Sequence, residues 1–175
     1  ELDKITDFVR KGGRVMFMLD PGGAPSFAQY LRGFGFELSE DLVIDKMSQV
    51  YGANFLMPVV VAYYKNHPVT SDFDLATFFP IARSVRIKEE PSKGSYELAL
   101  TSDKSWTTSG KLTKEDEQFN PERHKRGPVS VVAVTAVPRA LFTSRLPFVL
   151  SAVMVLAARL SGVVLPMPLT ALRST

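Results

Sequence analysis

The 175-residue chain contains no cysteine, two histidines and a single tryptophan. Without cysteine there is no disulfide, no thiolate metal site and no cysteine nucleophile; the absence is compatible with an oxidising compartment and does not demonstrate one. No G-x-G-x-x-G run and no Walker loop occurs, and no nucleophile–base pair or metal-ligand spacing is present. Acidic residues stop at Glu122, so the first 122 residues carry −4 and the last 53 carry +7. The basic pI of about 9.2 comes from this imbalance. Because the cations do not gather on one predictable face, it is no nucleic-acid footprint. The start at Glu1 shows no signal-peptide pattern and reads as a fragment or trimmed domain.

What is present suits an ordinary globular domain, with 45% hydrophobic and 22% charged residues. Leu2, Ile5, Phe8 and Val9 recur at helical spacing, and Gly12-Gly13 is a helix stop. Arg14 to Leu19 reads as a strand covered on both faces. Helix, Gly-Gly, strand is half of a βαβ unit whose first strand is missing. Ser26 is the expected N-cap of a helix carrying Phe27, Tyr30, Leu31 and Phe34, stopped by Gly35. Further strands are expected at Leu42–Ile44, Pro58–Tyr64, Ile81–Ile87, Tyr96–Leu100 and Val129–Val137. The polar run from Lys111 to Arg126 reads as a solvated loop with at most one helical turn. The sum is one α/β domain over residues 1–137, with a Rossmann-like or flavodoxin-like, mostly parallel sheet flanked by helices.

Candidate site residues follow from that topology. In parallel α/β sheets ligands gather at the carboxyl edge of the strands, which points to the loop Asp20–Ala24. Its Gly22-Gly23 pair reads as a plain turn, or as backbone donors cradling an anion at a helix start. His67 precedes Pro68, so the chain turns there; the side chain bonds locally or serves as a ligand or acid–base group. Asp72 and Asp74 are spaced for one strand face and a cation, although two carboxylates seldom suffice. Thr70 or Ser71 more simply caps a short helix over Leu75–Phe79. Arg83 reads as a structural ion pair, with Asp20 a possible partner. Trp106 packs a strand end or meets a partner.

Five segments in order carry a resemblance: Lys11–Pro21, Asn66–Thr70, Phe79–Val85, Leu100–Trp106 and Arg126–Pro128 before a Val/Ala strand. Together they resemble the auxiliary component of gliding-motility-type (Gld-like) ABC transport systems, over roughly residues 1–137. The resemblance implies a non-catalytic, extracytoplasmic domain, periplasmic and inner-membrane anchored through segments mostly outside this stretch. It implies no cofactor and no catalytic residue, and partners in the permease and ATPase subunits. The alternative is a small-ligand or enzymatic domain using Asp20–Ala24, with His67 or Asp72 contributing.

The resemblance breaks after Val137. Ala140 to Thr175 draws 36 residues from ten amino-acid types and holds no acid. For residues 138–175 three readings stand: a non-native C-terminus, a buried helix or strand, or a membrane span over Leu146–Leu165, whose apolar gain is offset by Arg159.

Overall fold

Gly12 and Gly13 turn the first helix into the first strand. The helix α1 (Leu2–Arg10) buries Val9 completely and half-buries Ile5. Gly12 then takes φ +92°, a conformation open to glycine and costly for other residues. The Gly13 N–H donates to Phe8 O at 2.9 Å. This folds the Phe8 ring over Gly13 so closely that an added Cβ would lie 2.3 Å from two ring carbons.

The computed structural model describes residues 1–88, 94–109 and 112–136, together with the backbone of 137, 151–156 and 167–168. After α1 come β1 (Arg14–Met18), α2 (Pro25–Arg32), β2 (Phe36–Leu38), β3 (Asp41–Asp45) and α3 (Met47–Val50). Then follow β4 (Val59–Tyr63), β5 (Leu75–Phe78), β6 (Val85–Ile87), β7 (Ser95–Thr101) and β8 (Ser105–Ser109). A single 3-10 turn (Lys114–Glu117) precedes β9 (Lys125–Arg126), β10 (Ser130–Val137), β11 (Ser151–Leu156) and β12 (Met167–Pro168). The main sheet has seven strands in the order β1-β11-β10-β7-β4-β5-β12; β2-β6 forms a ribbon and β3-β8-β9 a smaller sheet.

This corrects the expected Rossmann-like or flavodoxin-like parallel sheet. Only β1–β11 pairs in parallel, and the other paired strands run antiparallel. A parallel sheet needs a crossover, usually a helix, between successive strands. From β4 to β10 the described chain holds no α-helix, so neighbours there return antiparallel. The apolar run of β10 looks like a parallel-sheet strand because both its faces are nevertheless buried from Ser130 to Thr135, whereas β4 is buried only at Val59 and Val60 and leaves Ala62 exposed. On one face Val9, Phe17, Leu31, Phe36, Val85 and Ala133 form a cluster joining both long helices and the β2-β6 ribbon to the sheet. A second cluster sets Val43 of β3 and Ala82 against Val60, Leu98, Val132 and Val134.

Several local expectations also change. The α2 N-cap is Ala24 at φ 48°, with Pro25 leading the helix, rather than Ser26. Leu75–Phe78 is a strand, since pairing with β4 overrides the helical reading of Leu75–Phe79. The Ile81–Ile87 strand shrinks to Val85–Ile87, because Ile81 sits at φ 52° and its N–H turns back to Leu56 O at 2.8 Å. In β1, Phe17 is buried while Met16 and Met18 remain exposed, so the strand is not covered on both faces. Most of the span considered over Leu146–Leu165 lies outside the described residues; within it, β11 sits between β1 and β10. No helix among the described residues is long and apolar enough to cross a membrane.

Gly13→Ala should destabilise the fold by about 1–3 kcal/mol, because the methyl would meet the Phe8 carbonyl oxygen at 2.6 Å, a backbone atom that cannot swing away as the exposed Phe8 ring can. Gly33→Ala, whose Cβ meets nothing nearer than Tyr30 O at 3.1 Å, is expected to cost less. Urea unfolding of both variants measures the difference.

Candidate functional site

The segment Ser39–Asp41 joins β2 to β3 and meets the chain entering β6. Arg83 has no solvent exposure. Its Nε donates to Ser39 O at 2.8 Å, Nη1 to Asp20 O at 3.2 Å and Nη2 to Glu40 Oε1 at 2.5 Å. The pairing of Arg83 with Asp20 is thus real but runs through the main-chain carbonyl; the carboxylate partner is Glu40. Beside it, both Asp41 oxygens accept from Ser84, Oδ1 from the N–H at 2.8 Å and Oδ2 from the hydroxyl at 2.6 Å.

The anion cradle considered at Gly22 and Gly23 has a poor neighbourhood. Gly22 has φ +67°, and a Cβ built there would lie 4.0 Å from Glu40 Oε2. A carboxylate at that range repels an incoming anion. Gly23 donates to Asp20 O at 3.2 Å, which makes the loop a hydrogen-bonded turn.

His67, Thr70 and Asp72 fall elsewhere, in the turn between β4 and β5. His67 Nδ1 accepts from the Val69 N–H at 3.2 Å, and its ring tilts against Tyr96. Thr70 is buried and donates to Tyr64 O at 2.5 Å, closing the turn; Asp72 is exposed. Asp74 pairs with Lys65 Nζ at 2.5 Å rather than with Asp72 around a cation. Between β1 and β4 lie β11, β10 and β7, four strand spacings or about 19 Å. The structure therefore joins Asp20 to Arg83 and leaves His67, Thr70 and Asp72 apart from them.

Trp106 lies inside β8, 3% exposed, and packs rather than presents itself. Its Nε1 donates to Asp116 O at 3.1 Å, and its ring stacks on His124. This is where the reading of Lys111–Arg126 as a solvated loop needs correction, since Asp116 and His124 are both buried. Asp116 Oδ2 accepts from the Thr113 N–H and hydroxyl, each at 2.7 Å. His124 Nε2 stands 2.9 Å from Asp116 Oδ1, while Nδ1 accepts from the Asn120 N–H at 3.0 Å. A backbone donor at Nδ1 leaves the proton on Nε2, directed at the carboxylate. The His124 bond, followed by those from Thr113 and Thr108, holds the Asp116 carboxyl well below the usual range against the opposing effect of burial. The Thr-x-x-Asp spacing of Thr113 to Asp116 is the sequence signal for this turn, as it matches a capping box. No such pattern marks His124.

Arg123, next in chain, reaches outward to Glu115 and lies 3.4 Å from Asp116 Oδ1. It lines a groove of about 290 Å³ together with Ser39, Glu40, Asp41, Thr107, Ser109 and Lys125. A second hollow of about 470 Å³ lies on its other side, against Lys114 and Phe119. Another buried acid, Asp45, accepts from Met47 N–H and Ser102 Oγ through Oδ1. No group of three or more His, Asp or Glu that could hold a metal occurs among the described residues.

Comparison with known proteins gives a fold and no family. No family profile matches the chain, and no curated protein does. A solved structure titled mmIFT52 N-terminal domain is similar, with a TM-score of 0.56 and 13% identity over 90% of this chain and 58% of that one. The chain therefore spans less than two thirds of that structure. At this identity the likeness shows a shared fold alone.

Two predictions follow from the buried polar groups. Arg83→Met should cost about 2–4 kcal/mol, since carbonyls of Ser39 and Asp20 lose their donor, and Glu40→Gln about 1 kcal/mol; thermal unfolding ranks them. For Asp116, a depressed carboxyl value means its stabilisation is complete above the unfolded value of about 3.9 and is lost as pH falls below it. Asp116→Asn should therefore destabilise the protein at neutral pH and flatten the acid limb of its stability profile. Trp106 emission, the only tryptophan signal, reports both.

Proposed function

We infer that this chain is a non-catalytic, extracytoplasmic auxiliary domain of an ABC-type transport system of the gliding-motility type. It acts by binding transporter subunits or their cargo. The observation that carries the reading is the use to which the five resembling segments are put. His67, Thr70, Arg83 and Trp106 spend their polar groups or rings on local bonds and packing, and Asp20 lends its main-chain carbonyl to Arg83. Residues spent on a scaffold suit a protein whose bond-making steps belong to other polypeptides, here an ATPase and a permease. The shared fold with a structure whose title calls it an N-terminal domain supports the domain character of the chain.

The enzymatic alternative asks His67 or Asp72 to work with the Asp20–Ala24 loop. General acid–base chemistry requires hydrogen-bond reach, directly or through one water. The strand order separating β1 from β4 weighs against it.

Affinity purification of the full-length protein from its native membrane should bring down an ABC permease and its ATPase together. Recovery of the protein without either subunit, under conditions that keep other membrane complexes intact, would sink the transporter reading.

A further inference from the structure

The outer edge of β1 carries a sequence that is complementary to itself. Among the described residues β11 alone pairs with β1, so the other side of this strand is an unpaired sheet edge. Exposure alternates from Arg14 to Asp20. Val15, Phe17 and Leu19 turn into the apolar cluster shared with α1 and α2. Arg14, Met16, Met18 and Asp20 lie on the opposite face and are exposed, Met16 at 51% and Met18 at 44%. That face reads cation, methionine, methionine, anion. No salt bridge among the described residues involves Arg14 or Asp20. Buried Arg83 donates to the Asp20 carbonyl at 3.2 Å, so the anionic end of the row has a fixed place. Soluble proteins blunt an exposed edge with proline, a bulge or an inward-pointing charge. Between Arg14 and Asp20 the strand has none of these.

We propose that β1 pairs antiparallel with β1 of a second copy of this chain, across a two-fold axis at Phe17, joining the two main sheets edge to edge. In this register Arg14 stands opposite Asp20 of the second copy, Met16 opposite Met18 and Val15 opposite Leu19. Directly opposed side chains have Cβ atoms about 4.5–5.5 Å apart, which allows an ion pair at each end and methionine contact between them. Other pairings lose this match. Parallel in-register pairing sets Arg14 against Arg14. An antiparallel slip of two residues leaves each charge facing methionine or glycine. A slip of one residue turns the methionine row of one copy toward the covered face of the other. The two-fold contact occupies both β1 edges at once and therefore closes at the dimer. Self-association through β1 stands or falls apart from the transporter reading.

The test is sedimentation equilibrium of the full chain at low salt, over concentrations from roughly 1 μM to 1 mM. The mass should rise from the 19.4 kDa of one chain to twice that value and no further. Arg14→Asp and Asp20→Arg each set like charges opposite one another at both ends, and each should weaken the dimer about tenfold. Mixing the two variants restores opposite charges at both ends, so the mixture should dimerise as the unaltered chain does. A purely structural role for either residue would not be rescued by mixing. Both positions are exposed, and Asp20 meets Arg83 through its main-chain carbonyl, so Trp106 emission should be unchanged in both variants. A mass of one chain at every concentration leaves the edge to another strand and overturns the proposal. Growth beyond the dimer, indifference to both single variants, or failure of the mixture to recover association overturns it equally.

Discussion

A guanidinium removed from water keeps its charge at tolerable cost only where acceptors surround it. Arg83 meets that condition by drawing two distant pieces of chain to itself: the Asp20 loop 63 residues earlier and the Ser39-Glu40 segment. The neighbouring clamp between Asp41 and Ser84 and the bond from Val43 N–H to Ala82 O fasten the same seam. Residues 82–84 thereby tie the end of β1, the β2-β3 turn and the small sheet into one polar junction. The two apolar clusters lie on either side of it, one reached by Val85 and the other by Ala82. The identity of the residue at position 83 thus governs how the covering layers sit on the main sheet.

A second polar knot does comparable work for the most hydrophilic part of the chain. Residues 112–126 have little apolar surface to bury, so composition alone gives them no reason to fold. Asp116 and His124 supply one by satisfying each other and the backbone of Thr113 and Asn120, under cover of Trp106 and Phe119. A buried pair of this kind stabilises only when the remaining donors and acceptors are also met. Here both imidazole nitrogens and both carboxylate oxygens are engaged. The knot also sets where Arg123 and Lys125 stand, and so gives the groove its cationic wall.

These two networks engage Arg83, Asp116 and His124, while His67 and Asp72 lie outside both. Fold similarity does not restore an activity, because chemistry resides in sites grafted on folds.

The local elements were legible from residue order. Periodicity, Gly12-Gly13 and the β-branched runs located α1, β1, α2, β4, β7 and β10 to within a few residues, because they depend on neighbours along the chain. Strand direction was not legible, since a fully covered antiparallel strand and a parallel one share the same apolar pattern. Nor was the helical pattern of Leu75–Phe79 a guide, once pairing with β4 outweighed it. The candidate residues divide the same way. That His67-Pro68 turns, and that Trp106 seeks burial, follows from side-chain and backbone chemistry at those positions. Which polar groups meet was decided by contacts such as the 43-residue separation of Arg83 from Glu40 and the sheet pairing of Thr107 with Lys125. Sequence spacing holds no distance between such groups; only the closed chain, with its polar atoms forced to find partners away from water, supplies one.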